Sequence, residues 1–330
     1  MRDVYEGRES SQSEKEHKEY MRIATTTGDF LDYVARDEIS QAVRLQVKCG
    51  FRHIDVNLGG ACFKDSRLCS DGWEKWAEEI RDTGLEVGAD FVQAHASDSV
   101  YEPGQKRDDC MDMLRRQLRI CKMLGIPGMV VHCVYARQGE REDFMRTNAE
   151  MYAELLKTAE ETGVRIYTEN TCTANCPTYY LLEGADFNEL RERLGNHPLF
   201  GCCWDVGHAN IQGVDQYQSI LEMRDGLMAV HIHDNDGRRD LHLQPYSGNT
   251  CYDAIICGLC DIGFKGCFTL EALSLPVAQN FCFCRRKHFT QKGADQDRLG
   301  MLPLEFKLRS QKYMLDVTRF MLEAHHCFDE

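Results

Sequence analysis

The chain has 330 residues, of which 43% are hydrophobic and 28% charged, and its formal net charge is −14 at pH 7. That length suits a single large α/β domain, since barrels of alternating strands and helices take about 250 residues before insertions. The acidic balance argues against a nucleic-acid partner. The sequence has no long apolar run that predicts a membrane span and no apolar leader at its start. We therefore expect a cytoplasmic protein without a membrane partner, whose 17 cysteines stay reduced.

The first 20 residues are polar and charged, and they carry too little apolar surface to fold alone. We expect a short disordered extension here, or an artefact of the chosen start with Met21 as the true first residue. Residues 21–330 are predicted to form one domain.

Eight strand–helix units are predicted after this extension. Short apolar or β-branched runs predict strands at 22–27, 51–57, 90–96, 128–134, 164–169, 200–205, 228–233 and 266–271. Helices are predicted between them, among them 106–124 and 141–162, with a last helix at 304–326. Eight such units predict an α/β fold of the (β/α)8 type, the TIM barrel. Residues 274–303 are predicted to be a long loop after strand 8, of a length typical of a lid.

Metal-capable side chains recur near the carboxyl ends of the predicted strands. They are separated by 37, 37, 36, 28 and 38 residues, and they are His95, His132, Glu169, Asp205, His233 and Glu271. Parallel strands that close into a barrel bring these ends to one rim, so the pattern predicts a metal site. Carboxylate oxygens together with imidazole nitrogens suit Mn, Zn or Co. No organic cofactor is expected.

The sixth and seventh units hold the densest set of such residues. In WDVGHANIQG, Asp205 and His208 lie three residues apart across a turn, so both can face one ion or substrate. In HIHDNDGRRDLHLQP, two pairs of ligand-type residues have i, i+2 spacing: His231 with His233, and Asp240 with His242. We interpret His231, which lies one pleat deeper than His233, as a core residue.

Four motifs resemble those of the xylose isomerase-like TIM barrel superfamily. They are ENT at Glu169, WDVGHANIQG, HIHDNDGRRDLHLQPYSGN and FTLEA at Glu271, and the resemblance covers roughly residues 21–273. The superfamily includes sugar phosphate isomerases and epimerases, ketose 3-epimerases, inosose dehydratases and type IV apurinic endonucleases. Its sugar-acting branch implies one divalent ion held by Glu169, Asp205, His233 and Glu271. Its endonuclease branch implies three zinc ions, with further ligands at His95, His132, His208, Asp240 and His242.

The resemblance implies a metal-dependent isomerase or epimerase of a sugar, sugar phosphate or polyol. Glu169 and Glu271 are the implied catalytic pair, which would exchange a proton with the substrate through a metal-stabilised enediolate. Asp240 and His242 are either additional metal ligands or groups that orient His233. The expected substrate contacts are His95, His132, His208, Arg239 and Trp204.

Alternatives on the same barrel are a zinc-dependent abasic-site nuclease, a dehydratase and a C-glycoside-cleaving lyase. Asn175 stands where ketose 3-epimerases carry a second glutamate, which argues against a strict ketose 3-epimerase. Acidic and mixed rim loops favour a sugar over DNA, with the basic run CRRKHF at 284–289 as the exception. The sequence is compatible with a homo-oligomer.

The cysteine motif CGLC, from Cys257 to Cys260, has the spacing of a zinc knuckle or a redox pair. It has no second CxxC as a partner and lies in an apolar helical stretch. We interpret it as core packing.

Overall fold

The computed structural model describes residues 21–273 and 303–328. The predicted extension at 1–20 lies outside the described residues, and so does the predicted lid at 274–303 except for its last residue. The run CRRKHF belongs to that undescribed part.

Eight parallel strands in the described part form a closed barrel in sequence order, and the eighth pairs with the first. This confirms the predicted TIM barrel. The strands are β1 (Arg22–Thr26), β2 (His53–Asn57), β3 (Asp90–His95), β4 (Gly128–Val130), β5 (Arg165–Glu169), β6 (Phe200–Asp205), β7 (Leu227–Ile232) and β8 (Cys267–Leu270).

Helices fill the connections and form an outer layer around the barrel. Within the described residues they are α1 (Leu31–Val34), α2 (Ile39–Lys48), α3 (Trp73–Val87), α4 (Gln105–Leu124), α5 (Arg141–Thr162), α6 (Gly184–Arg193), α7 (Val206–Gln212), α8 (Gln216–Met223), α9 (Tyr252–Asp261) and α10 (Leu304–Ala324). None of these helices has both the length and the apolar character needed to cross a bilayer.

The sequence of α4 explains why it forms and where it stops. Its buried apolar residues include Met111, Leu114, Leu118 and Cys121, a spacing of three and four that places them on one face. The helix ends at Gly125, whose φ of 73° lies in the left-handed region that glycine adopts without strain.

Strand β4 is shorter than predicted. The Val131 N–H still donates to the Tyr167 carbonyl of β5 at 2.9 Å, but Cys133 and Val134 use their backbone donors elsewhere. Tyr179 Oη accepts a hydrogen bond from the Cys133 N–H at 3.1 Å, and Asn148 Oδ1 accepts one from the Val134 N–H at 2.8 Å. The chain there is still fully buried apart from His132, but it leaves the strand ladder.

Two apolar layers fix the direction of the strand side chains. A large core between barrel and helices includes Trp76, Tyr152, Phe187 and Trp204. A small cluster inside the barrel consists of Val130, Tyr167, Cys203 and Ala229, from four neighbouring strands. Since strand side chains alternate between faces, the residue two positions after each member of the inner cluster also points inward. Those residues are His132, Glu169, Asp205 and His231.

Candidate metal centre

Four ligand-type residues form a compact group directly above the inner apolar cluster. One ligand atom from each of Glu169, Asp205, His231 and Glu271 lies within 4.8 Å of the others. The sequence analysis expected His233 in this quartet, whereas the structure brings His231 to it and places His233 in an adjoining group. The reason is register: His231 pairs with Asp205 across β6 and β7, whereas His233 lies beyond the end of β7 and one pleat higher.

His231 connects the two glutamates. Its Nδ1 lies 2.7 Å from Glu169 Oε1 and 3.2 Å from Glu271 Oε2. Its other ring nitrogen, Nε2, lies 2.7 Å from the side-chain amide of Gln93 on β3. Sequence reasoning missed Gln93, although its position two residues before His95 predicts the same inward direction.

A second group shares Glu169 with this quartet and contains His95 and His132. His132 Nε2 lies 2.8 Å from Glu169 Oε2, and His132 Nδ1 lies 3.1 Å from Asp98 Oδ1. His95 Nδ1 lies 3.4 Å from Glu271 Oε1. His95 and His132, the two histidines predicted at the ends of β3 and β4, therefore lie beside Glu271 and Glu169.

A third group consists of His208, His233, Asp240 and His242, and it adjoins the quartet through Asp205. His233 Nε2 lies 3.0 Å from both carboxylate oxygens of Asp205. Asp240 lies 3.3 Å from His208 Nε2 and 3.2 Å from His242 Nε2. The rings of His233 and His242 stack with their centroids 4.0 Å apart.

The buried acidic groups shift the pKa values across the centre. Burial alone would raise the pKa of Glu169, but His231 and His132 hold it well below the usual range of a glutamate. Burial works against charge on His208, yet Asp205 and Asp240 raise its pKa to about 10. Burial also works against charge on His242, but Asp240 outweighs it and raises the pKa of His242 to about 9. The buried carboxylates of the centre therefore need positive charge beside them, which protons on the histidines or a divalent cation can supply.

The donor set fits a divalent metal ion. Asp205 is fully buried and Glu169 nearly so, and desolvated carboxylates are costly without cations beside them. The Nδ1 atom of His233 is buried with no hydrogen-bond partner among the described residues. Carboxylates and imidazoles in one buried group are the ligands of Zn, Mn and Co.

Two expected substrate contacts lie away from this centre. Trp204 points to the helix layer, where its indole N–H donates to Gln216 Oε1 at 3.2 Å, because its neighbour Asp205 takes the inward direction. The structure therefore does not bring Trp204 to the site. Arg239 is exposed and pairs with Asp236 at 2.8 Å.

A cleft of about 630 Å³ opens beside the centre, with His132, His208 and Asp240 in its wall. Asn175 also lines it and donates to Asp240 Oδ2 at 3.2 Å. Sequence reasoning missed further lining residues: Tyr101, Tyr135 and Arg137 lie on loops without periodic signal, and Lys106 lies in the first turn of α4.

A closed parallel barrel that gathers carboxylates and imidazoles at its carboxyl rim is the architecture of a TIM-barrel enzyme. The chain belongs to the xylose isomerase-like TIM barrel family, whose model matches residues 43–281.

Two sequence relatives have no described activity. The y4fM protein of Sinorhizobium fredii is 25% identical over 231 residues, which cover 67% of each chain. The MJ1311 protein of Methanocaldococcus jannaschii is 27% identical over 133 residues, which cover 39% of this chain and 44% of that one. The match thus spans less than half of the second relative.

Solved structures of sugar epimerases share the fold. A D-tagatose 3-epimerase-like protein superposes with a TM-score of 0.67 at 17% identity, over 92% of this chain and 98% of that one. The 3-keto-D-glucoside 4-epimerase YcjR of E. coli gives a TM-score of 0.62 at 17% identity, over 90% and 99%. An L-ribulose 3-epimerase gives 0.66 at 18% identity, over 92% and 95%.

Proposed function

We propose that the chain is a metal-dependent sugar isomerase or epimerase that works by proton transfer. The observation that carries the proposal is the placement of Glu169 and Glu271, which approach the same nitrogen of His231 at 2.7 and 3.2 Å from β5 and β8. Two carboxylates at the mouth of one barrel provide both a base and an acid for a substrate between them. The epimerase names of the structural neighbours support the same class.

The quartet of Glu169, Asp205, His231 and Glu271 would hold the ion, which we propose to be Mn, Zn or Co. When bound, such an ion polarises a carbonyl oxygen and stabilises negative charge that develops on it.

The two glutamates would move the proton. Their pKa values lie well below the usual range, because the histidines beside them outweigh burial, so both are carboxylates able to accept a proton. One removes the proton from the carbon next to the carbonyl. For inversion, the other glutamate must first take up a proton from a neighbouring histidine or from solvent, which it then delivers to the opposite face of that carbon. For isomerisation, the first glutamate returns the same proton to the neighbouring carbon.

The cleft supports a polyhydroxylated substrate with an acidic group. His132 and His208 offer hydrogen bonds, and Tyr101 and Tyr135 provide aromatic surface against a sugar face. Lys106 and Arg137 add positive charge at the cleft in a chain whose net charge is −14. Asp98 and Glu102 line the same cleft, so its charge is mixed. Lys106 and Arg137 form no ion pair with another described residue, and they are the groups that would hold the phosphate of a sugar phosphate.

Deuterium exchange tests the proposal directly. In deuterated water, the enzyme should introduce deuterium next to the carbonyl of a reactive ketose or ketose phosphate. Glu169→Gln and Glu271→Gln should each reduce exchange by about 10², the usual loss for a general acid or base. Glu192→Gln, on the exposed side of α6, is the control and should exchange normally. Metal content must be measured in the same samples, and exchange that survives in both metal-loaded active-site variants would contradict the proposal.

An abasic-site nuclease is the second candidate, favoured by one observation. The three ligand groups adjoin one another around the rim and together include every position that the resemblance to the endonuclease branch implies. Metal analysis and an abasic oligonucleotide separate the candidates. About three zinc ions per chain with nicking of the oligonucleotide, and no exchange on any ketose, would favour the nuclease.

A further inference from the structure

The two cysteines of the CGLC motif lie on the surface, so its interpretation as core packing holds for the buried Gly258 and Leu259 but not for the thiols. Cys257 and Cys260 are one turn apart on α9, and both thiols are exposed. Residues three apart on a helix share a face, so both sulfurs can approach a common partner.

The chain that follows α10 brings two more ligand-type side chains to this face. His325 Nδ1 lies 3.9 Å from Cys257 Sγ. Cys327 is buried, and the Cys260 thiol beside it raises the pKa of Cys327 well above the usual range. His325 and Cys327 therefore supply the second pair of ligand-type residues that the CGLC motif lacks nearby in the sequence. They follow α10, on the other side of the β8–β1 closure from α9.

The far side of the histidine ring is also occupied. His325 Nε2 lies 2.9 Å from Asp253 Oδ1, on the first turn of α9. A carboxylate on one ring nitrogen fixes the tautomer and leaves the other nitrogen as an acceptor, an arrangement that is typical of zinc-bound histidines. Here the second nitrogen, Nδ1, is the one that faces Cys257.

We propose that Cys257, Cys260, His325 and Cys327 form a structural zinc site. Three cysteines and one histidine are a usual donor set for tetrahedral zinc, and four protein ligands leave no open position for catalysis. The donor atoms lie as two pairs, Cys257 with His325 and Cys260 with Cys327. No three of them lie within 4.8 Å of one another, so binding of the ion would require the exposed Cys257 and Cys260 side chains to rotate. The thiols lose their protons when the ion binds.

The site lies on the opposite end of the barrel from the candidate metal centre. The Met21 N–H, just before β1, donates to the Cys327 carbonyl at 2.7 Å, and Met21 forms a parallel bridge with Phe328. An ion at this position would fasten the segment after α10 to α9 beside the β8–β1 closure. Residues at that end of a TIM barrel are expected to stabilise the fold and not to take part in catalysis.

Cobalt substitution distinguishes this site from the rim. Protein produced with Co²⁺ should show a sulfur-to-cobalt charge-transfer band. Because the Cys203 thiol lies beside Glu169 and His231 at the rim, variants of the α9 site are needed to assign the band. The double variant Cys257→Ser, Cys260→Ser should lose that band and one equivalent of metal, while the rim keeps its ion. His325→Ala should weaken binding of Co²⁺, and the adjacent exposed His326→Asn, whose φ of 56° an asparagine tolerates, should not.

Three results would overturn the proposal. The first is a charge-transfer band that survives in the double variant. The second is a metal content that is the same in the wild type and the double variant. The third is an affinity for Co²⁺ in His325→Ala that equals that of the wild type.

Discussion

At the residue scale, the amino-acid sequence predicts which residue types reach the rim better than it predicts which of two neighbours does so. Glu169 and Asp205 end their strands, and Glu271 directly follows β8, so a strand assignment suffices to find them. His231 and His233 have the same parity, and only the register between β6 and β7 decides which lies at the level of the quartet. Register across a barrel depends on all of its strands, which a local pattern does not contain.

Gln93 should control the affinity of the quartet for its ion. Its amide lies 2.7 Å from His231 Nε2, so it holds the orientation of a ring whose other nitrogen faces both glutamates. Gln93→Leu keeps the volume and removes this bond, and we expect metal affinity to fall by about 10 to 100-fold, the usual effect of losing a group that orients a ligand. Competition with a chelator of known affinity measures it. Gln216→Leu, another buried glutamine, which bonds Trp204 on the helix side, should leave affinity unchanged.

Gly207 should be essential for the position of His233. A Cβ atom built on Gly207 would lie 1.9 Å from Cε1 of the His233 ring, which is far closer than van der Waals contact. Gly207→Ala should therefore displace His233 from Asp205 and lower the metal content of the third ligand group. Gly213→Ala is not a suitable comparison because its φ is positive, so Gly139→Ala, with 3.7 Å to the nearest atom, serves as the control. Equal metal content in both variants would show that His233 is not a ligand.

At the element scale, the sequence predicts which segments form strands and helices. Where a strand ends depends also on side chains of other elements. Helix α5 agrees with its prediction at both ends, since its buried face repeats with helical period over 22 residues. Strand β4 does not, because the amide of Asn148 in α5 takes over the backbone groups of Val134. That contact is tertiary, and nothing in the apolar run 128–134 predicts it.

Asn148 should therefore be a strong stability determinant. Its Oδ1 accepts from the Val134 N–H at 2.8 Å and its Nδ2 donates to the Val134 carbonyl at 2.9 Å, both in the buried interior. Asn148→Leu leaves two buried backbone groups unpaired, and we expect unfolding free energy to fall by about 2 to 4 kcal/mol. Urea denaturation measures the loss. Asn188→Leu, which removes an exposed bond to Glu222, should cost about 0.5 kcal/mol or less.

At the scale of the whole molecule, the predicted barrel is correct because eight apolar runs of strand length alternate with helical periods. The alternation fixes parallel pairing and one shared rim. The loops that shape the cleft were not predictable, since residues such as Tyr135 and Arg137 lie outside any periodic pattern. Their positions depend on the rim as assembled.

The last helix is joined to the first strand–helix connection by a buried ion pair. Lys307 Nζ in α10 lies 2.8 Å from Asp29 Oδ1, which follows β1, and Gln311 also donates to this carboxylate. Lys307→Met leaves a buried carboxylate without its cation and should destabilise the protein by about 3 to 5 kcal/mol. The double variant Lys307→Met, Asp29→Leu should recover a large part of that loss, and a double-mutant cycle by urea denaturation measures the coupling. Purely additive losses would contradict the pairing.

The distribution of the quartet along the chain has a thermodynamic consequence. Glu169 and Glu271 are 102 residues apart, so an unfolded chain holds them near each other only at a large entropic cost. The ion that we propose for this quartet would therefore bind the closed barrel and would hardly bind the unfolded chain. By mass action, each tenfold rise in free metal above the dissociation constant adds about 1.4 kcal/mol to the folded state. The melting temperature of the protein should then report the concentration of free metal around it.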